Sequence, residues 1–199
     1  MDYSKFYKDS DTLYYYTLSK SATQFTVLMR LCYNEIEKVS LDEIKIYLNF
    51  HPEEINAVNS HGWSALMIVS YHGYKDIAKL VLDHGSNPNL QAHNGKSALF
   101  LAIKFWRLEI LELLLDYGGD PNVRNNRDNP VLTSIIYGLN AKPINGNKAK
   151  LIEIAKLLIK HGYDINTQDA DGWTFLMRIC RYPNTLSYKI VKFLLDNGA

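Results

Sequence analysis

The sequence predicts an all-α solenoid of helix-turn-helix units joined by hairpin-like links. Apolar runs recur along the chain and end at glycines in positions 85, 118, 162 and 198. An asparagine follows each of the first three glycines by four residues, and a serine, proline or threonine follows that asparagine by eight. The segment from each glycine to the next helix start therefore has a constant length, which is typical of a repeat array.

Composition excludes several classes of protein. The 199-residue chain is 47% hydrophobic, and its formal net charge is +1. This balance argues against a polybasic nucleic-acid binder and against a disordered chain. No apolar run is long enough to span a membrane, and residues 1–8 lack the apolar core of a signal peptide. We therefore expect an intracellular protein away from membranes, with Cys32 and Cys180 as reduced, inert core thiols.

The repeat divides the chain into a lead and an array. Residues 1–20 are polar and aromatic, and we expect them to form an N-terminal lead or cap. The array follows as units at about 21–58, 59–91, 92–124, 125–168 and 169–199, the last of them incomplete. Residues 139–149 are rich in Asn, Gly and Pro and lack helical periodicity, so they are predicted to form an insertion between the two helices of the fourth unit.

Each recurring residue type has a predicted structural role. The glycines suit the left-handed residue that ends a helix. The hydroxyl residues are expected to cap the first helices, and they are Ser64, Ser97 and Thr174. The asparagines are expected to hydrogen-bond the returning backbone, and they are Asn89, Asn122 and Asn166. The predicted core repeats as Leu66, Leu99, Leu132 and Leu176 in the first helices, with Leu80, Leu113, Leu157 and Phe193 in the second helices.

The motifs resemble a known family. Residues 61–66 read His-Gly-Trp-Ser-Ala-Leu and residues 94–99 read Asn-Gly-Lys-Ser-Ala-Leu, and each is followed by an apolar helix with a glycine stop. This pattern is similar to that of the ankyrin repeats from residue 21 onward. The resemblance implies an ankyrin-repeat solenoid that acts as a protein-protein interaction scaffold without catalysis. Its loose style looks like the arrays of large DNA viruses and intracellular bacteria.

The chain also departs from the family pattern. The family's His after the first-helix Leu is replaced by Met67, Phe100, Thr133 and Met177. The usual hydrogen-bond network between neighbouring turns is therefore expected to be missing, and the thermal midpoint should stay below about 90 °C. Trp106 stands where the family has a glycine between its helices, which brings the geometry of that turn into question.

No catalytic, metal or cofactor site is predicted. The run Gly95-Lys96-Ser97 resembles the end of a phosphate-binding loop, but Leu90 stands where such a loop needs a glycine. The six histidines show no metal-ligand spacing. We therefore interpret residues 95–97 as a turn and helix cap, and we expect no enzyme activity.

The resemblance places the partner-binding surface on the concave side, at the hairpin tips and the exposed ends of the first helices. Aromatic and basic residues are prominent there, and such residues form many interface hot spots. The hypothesis is a basic, aromatic groove for an acidic or extended protein segment. A plainer reading is that the tryptophans are framework residues and that the basic residues only solubilise the loops. The candidate residues are Trp63, Tyr71, His72, His93, Lys96, Lys104, Phe105, Arg124, Asn126, Arg127, Tyr137, Trp173, Arg181 and Tyr182.

Two alternative functions use the same surface. Stacking and phosphate contacts in a basic, aromatic groove would suit a nucleic acid, although the net charge of +1 disfavours this reading. A substrate adaptor for a ubiquitin ligase is a special case of the scaffold. The expected partner remains a protein, with a host-cell location if the source is viral or bacterial.

Overall fold

The computed structural model describes residues 26–33, 40–133, 135–136, 148–181 and 188–199. Helices dominate these ranges, and the only β-pairing within them consists of isolated bridges. The helices are α1 (Val27–Tyr33), α2 (Leu41–Phe50), α3 (Ala65–His72), α4 (Lys75–Asp83), α5 (Ala98–Lys104), α6 (Leu108–Asp116), α7 (Lys148–Lys160), α8 (Phe175–Arg181) and α9 (Tyr188–Asp196), with a 3-10 helix at Pro52–Asn56.

The helices form successive two-helix units that stack on one another. The second helices α2, α4, α6, α7 and α9 contact each other in that order, and the first helices α1, α3 and α5 do the same. In the fourth unit the described part of the first helix comprises a turn at residues 131–133 and helical residues at 135–136. The prediction of an all-α solenoid is confirmed. Because each unit buries its apolar side against its neighbours, stability comes from stacking.

Hydroxyl residues cap four of the described helices, as hydroxyl oxygens satisfy amides that have no partner within a helix. At the start of α1, Thr26 accepts a hydrogen bond from the Met29 amide at 3.2 Å. Ser64 accepts a hydrogen bond from the Met67 amide at 3.3 Å, and Thr174 accepts one from the Met177 amide at 3.3 Å. Ser40 forms a capping box with Glu43 at the start of α2. The predicted cap at Ser97 is wrong, because its hydroxyl makes no cap hydrogen bond although its backbone is as extended as that of Ser64.

The predicted glycine stops are confirmed, and the asparagines connect successive units. All four glycines have φ between +83° and +90°. Asn122 donates its amide to the Gly162 carbonyl of the next unit at 3.0 Å and accepts the Asp164 amide at 3.0 Å. The same donation to the next glycine carbonyl recurs in the units on either side. We call this set the asparagine ladder: Asn56, Asn89, Asn122 and Asn166.

The asparagine ladder connects neighbouring units, which were expected to lack the family's usual hydrogen-bond network. The predicted bond to the returning backbone exists, but the backbone belongs to the following unit. The asparagine ladder lies at the end of the second helices and uses amide side chains. The hydrogen-bond network that was expected to be missing involves histidines of the first helices. Neighbouring turns are therefore connected in spite of the missing histidines.

Antiparallel hairpins link the units and pack against each other. Isolated bridges close them between residues 58 and 64, 91 and 97, and 124 and 130. The His93 amide donates to the His61 carbonyl of the preceding hairpin at 2.9 Å. A Cβ added to Gly95 would lie 2.3 Å from the Asn126 backbone nitrogen, so this contact requires a glycine. At the corresponding Gly172 nothing lies within 4 Å.

The core differs from the predicted one in the second helices. The first-helix leucines Leu66, Leu99 and Leu132 are buried, while Leu176 is only half-buried. The second-helix residues predicted for the core, Leu80, Leu113, Leu157 and Phe193, are half-buried as well. The residue after each of them is buried instead: Val81, Leu114, Leu158 and Leu194. Each of these buried residues lies four positions after a buried isoleucine, so the two form one i, i+4 stripe facing the core.

Two further expectations need correction or completion. Helix α7 begins at Lys148, so the last two residues of the predicted 139–149 insertion are helical. The rest of that insertion and the predicted lead at residues 1–20 lie outside the described residues. Trp106 has φ of +58° in the turn between α5 and α6, where Gly73 serves with φ of +93° between α3 and α4. The turn thus keeps a glycine-like conformation at the cost of backbone strain.

The two cysteines differ in their surroundings. Cys32 is buried, and burial raises the pKa of its thiol to about 12. Cys180 is exposed, so the expectation of two buried thiols is wrong for it. The corresponding Ser70 and Ile103 of the second and third units are buried. Among the described helices, none combines the length and the apolar character needed to cross a membrane.

Candidate functional site

The side of the array that is predicted to be concave is made of helix ends and hairpin tips. Helices α3 and α5 are buried along their first six residues, from Ala65 to Ser70 and from Ala98 to Ile103. Side chains become accessible only at the last turn of each helix, where Tyr71 and Lys104 stand. Any partner on this side therefore meets one short stretch from each first helix and the tip of each hairpin.

Rings from the second and third units meet in an aromatic cluster, which consists of Trp63, Tyr71, His72 and Phe105. Tyr71 lies at its centre, with ring centroids 4.5 Å from Phe105 and 4.8 Å from His72, both edge-on. Trp63 is only 6% exposed and contacts Tyr71 at 6.4 Å. Trp63 thus has the burial of a framework residue, while the other three rings remain partly accessible.

His72 contributes an uncharged ring to this cluster. It stacks on Tyr74 at 5.3 Å with nearly parallel ring planes. Burial, assisted by the positive charge of Arg107, lowers the pKa of His72 to about 4. The imidazole is therefore neutral near pH 7 and acts as an aromatic surface.

The hairpin residues on the candidate surface are mostly engaged in the fold. The Asn126 side chain donates to the His93 carbonyl at 2.6 Å, which connects the hairpin at residues 124–130 with the hairpin at residues 91–97. The His93 side chain is exposed, and Lys96 is half-buried. Lys104 lies over the Phe105 ring with its Nζ 5.4 Å from the centroid, so it adds positive charge beside the aromatic cluster.

Arg124 holds hairpins together. It pairs with Asp128 through an Nε to Oδ1 distance of 2.5 Å, and its guanidinium also donates to the Gln168 carbonyl of the next unit at 2.7 Å. The Arg124 guanidinium keeps the pKa of the Asp128 carboxyl below its usual value. Asp128 reaches this position with φ of +56°. The charge of Arg124 is thus compensated locally, which reduces the basic character expected of the face.

The fifth unit carries a second aromatic centre at Trp173. The Arg178 guanidinium lies 5.3 Å from the ring centroid, and that of Arg181 lies 5.5 Å from it. Arg178 is buried and pairs with Asp169 at 2.6 Å and with Asp171. Arg181 is exposed, and within the described part of the chain no carboxylate pairs with it.

The Asp169 carboxyl is stabilised in its charged form. Burial opposes its ionisation, but hydrogen bonds from Arg178 and from the Trp173 and Asp171 amides outweigh that effect. The net result is a pKa below the usual value for aspartate. This buried ion pair was not predicted from the sequence. The sequence feature that could have indicated the pair is Arg178 itself, which stands at the repeat position that Ile68 and Leu101 occupy in other units.

The structure thus divides the predicted surface into three groups. The aromatic cluster and Lys104 come together, as do Trp173 and Arg181, and the hairpin residues His93, Arg124 and Asn126 hold neighbouring units together. Arg127 is exposed at the tip of the hairpin at residues 124–130, and no ion pair to its side chain occurs among the described residues. Tyr137 and Tyr182 lie outside the described residues. In the described ranges, no three His, Cys, Asp or Glu side chains are grouped in a way that would hold a metal ion.

Comparisons with known proteins agree with this architecture. The family described as ankyrin repeats (3 copies) matches residues 28–125. An ankyrin repeat protein of Acanthamoeba polyphaga mimivirus is 28% identical over 201 residues, which covers 96% of this chain and 30% of that protein. A second ankyrin repeat protein of the same virus is 37% identical over 92 residues, covering 41% of this chain and 14% of its own length.

A relative from an animal has the same repeats. The rat ankyrin repeat and SAM domain-containing protein 6 is 36% identical over 52 residues, or 26% of this chain and 6% of that protein. The chain spans less than a third of the length of each of these three proteins. Repeated helix pairs, glycine stops and hairpin links occur here together with the family match and the viral relatives. The chain therefore belongs to the ankyrin repeat proteins, and its style is that of the viral members.

Proposed function

We propose that this chain is a non-catalytic interaction module that binds a partner protein through the concave face. Ankyrin repeats are generally protein-protein interaction modules. The finer assignment concerns the surface and the chemistry of the partner, which we expect to be an acidic or extended protein segment. We place its action inside a cell, and in a host cell if its origin is viral, because a free buried thiol and a free exposed thiol suit a reducing compartment.

One observation carries the proposal: partly exposed aromatic rings stand beside positively charged side chains in the second, third and fifth units. Tyr71, His72 and Phe105 expose ring surface next to Lys104, and Trp173 does so next to Arg181. Aromatic and arginine side chains supply much of the energy of protein interfaces because they combine large contact area with directed polar contacts. A surface that only kept the protein soluble would not need these exposed aromatic rings.

Charge supports an acidic partner in a restricted way. Arg124 is paired with Asp128, and Arg178 with Asp169 and Asp171, so these cations are already compensated. Arg127 and Arg181 remain available among the described residues. Steering of a partner should therefore depend on these two guanidinium groups.

A charge-reversal experiment tests the proposal. Arg127→Glu combined with Arg181→Glu leaves the hairpin bonds of Arg124 intact and keeps Trp63 in its buried place. Lys160→Glu combined with Lys189→Glu provides a control of equal charge change on the exposed second helices. Affinity capture from cell lysate at low and at high salt identifies the bound proteins, whose affinities are then measured with purified material.

We expect the concave-face variant to lose its partners and the control variant to keep them, with weaker salt dependence in whatever binding remains. Unchanged partners in both variants would refute the concave face and would direct attention to residues 139–149. Salt-steep binding of random single-stranded DNA, without any protein partner, would instead indicate a nucleic-acid binder.

A further inference from the structure

We propose, on the basis of the function proposed above, that the partner is an extended protein segment with an apolar side chain and a carboxylate six residues apart. The apolar side chain lies against Tyr71 and Phe105, and the carboxylate pairs with Arg181. The proposal depends on three features of the concave face: an aromatic platform, an oriented cation and the number of units between them.

The platform is formed by two units together. Tyr71 ends the first helix of the second unit, Phe105 follows the first helix of the third, and their rings meet edge to face at 4.5 Å. Both residues are half-buried, so the fold restricts the two rings while part of their surface remains accessible. An aliphatic or aromatic side chain placed there gains apolar contact without requiring the rings to move.

The cation is held in place before any partner arrives. The Arg181 guanidinium stacks over Trp173, and this contact limits the orientations of an otherwise flexible side chain. Asp171, an acid of the same unit's hairpin, is engaged by Arg178. Arg181 therefore keeps its planar set of donors for an incoming carboxylate, which matches it in geometry as well as in charge.

The distance between platform and cation follows from the stack. Phe105 and Arg181 stand at the ends of the first helices of the third and fifth units, which are two units apart. Packed helices are separated by about 8–10 Å, so two steps correspond to about 16–20 Å. Six residues of a β-strand cover about 20 Å, and six residues of a polyproline II helix cover about 19 Å.

The direction of the side chains along an extended segment also favours a separation of six residues. In a β-strand, side chains return to the same face every second residue, and in a polyproline II helix every third residue. A separation of six satisfies both periods, so either extended conformation presents the apolar side chain and the carboxylate to the array together. Between them the segment passes Arg124, which is already bonded to Asp128 and Gln168, so no acid is required opposite Arg124.

Selection from a phage-displayed random peptide library tests the motif directly. Enriched peptides should share an aliphatic or aromatic residue and an Asp or Glu six positions apart. A synthetic copy of the best peptide should lose about tenfold in affinity when its acid is moved by one position. Arg181→Glu should abolish the preference for the acid, whereas Lys189→Glu, on the second helix of the same unit, should preserve it.

The platform is tested in the same selection. Phe105→Ala should remove the preference for the apolar residue, and Phe50→Ala, which changes a ring that is 76% exposed on α2, should not. Phe105→Leu retains apolar volume and serves if the alanine variant is unfolded by circular dichroism. Peptides that depend on Phe105 and Arg181 without the six-residue spacing would overturn this inference and leave the proposed function intact. Peptides that ignore both residues, or no enrichment at all, would overturn both.

Discussion

Replacing Asn122 by alanine removes one rung of the asparagine ladder between the third and fourth units. The side chain makes two bonds across that interface, to the Gly162 carbonyl and from the Asp164 amide, each at 3.0 Å. A hydrogen bond contributes about 0.5–1.5 kcal/mol net, so two contribute about 1–3 kcal/mol. Because these groups are exposed, water replaces part of the loss, and we expect a decrease in the free energy of unfolding of about 1–2 kcal/mol.

Urea unfolding followed by far-UV circular dichroism measures this change through the midpoint and the slope. Gln168→Ala is a matched control, since it removes an exposed amide side chain that makes no hydrogen bond among the described residues, and its effect should stay within about 0.5 kcal/mol. Equal midpoints for the two variants would refute the idea that the ladder couples the units. A broader transition for Asn122→Ala alone would show that the units on either side unfold less cooperatively.

Three other changes have definite expected outcomes. Gly95→Ala, with its Cβ 2.3 Å from the Asn126 nitrogen, should lower the denaturation midpoint clearly more than Gly172→Ala, which meets nothing within 4 Å; equal midpoints would contradict close hairpin packing. Arg178→Met should cost about 3–5 kcal/mol by leaving the buried Asp169 carboxylate without its ion-pair partner. The pKa of Asp169 is lowered in the fold. The difference in unfolding free energy between wild type and Arg178→Met should therefore be full above the unfolded pKa of about 3.9 and should decrease as the pH falls below it. A constant difference at all pH values would be incompatible with that pair. Native protein should show one fast-reacting thiol with a disulfide reagent, and Cys180→Ser should abolish it.

The repeat architecture was predictable because backbone geometry restricts the residues that can occupy its turns. A helix that ends in a left-handed conformation favours glycine, and Gly85 and Gly118 show the φ values that this requires. The asparagines were also predictable as backbone partners, because few other side chains both donate and accept at that length. Their attachment to the following unit required knowledge of the stack.

The core of the second helices could not be predicted to the residue. Leu80 and Val81 are both apolar, as are Leu113 and Leu114, so periodicity alone does not decide which one faces inward. The structure selects the second of each pair because that residue continues the buried isoleucine stripe.

The charges of the candidate site were hidden for another reason. Asp128 pairs with Arg124 from a backbone of positive φ, which the sequence does not reveal. Asp169 and Arg178 are nine residues apart and belong to a hairpin and a helix, so no helical spacing rule connects them. The aromatic positions were predictable from repeat phase, but their degree of burial depended on neighbouring units.

The asparagine ladder also makes the spacing between successive units independent of the number of residues in each unit. Asn89 and Gly118 are 29 residues apart and Asn122 and Gly162 are 40 apart, yet the bonds measure 2.9 and 3.0 Å. We predict that the added residues lie between the two helices of the fourth unit; the bonds at both ends of the intervening chain are the same as in the other units. The gap between the helices of a unit is therefore a natural grafting position, where a foreign epitope or a small folded domain can be carried without altering the spacing of the surrounding repeats.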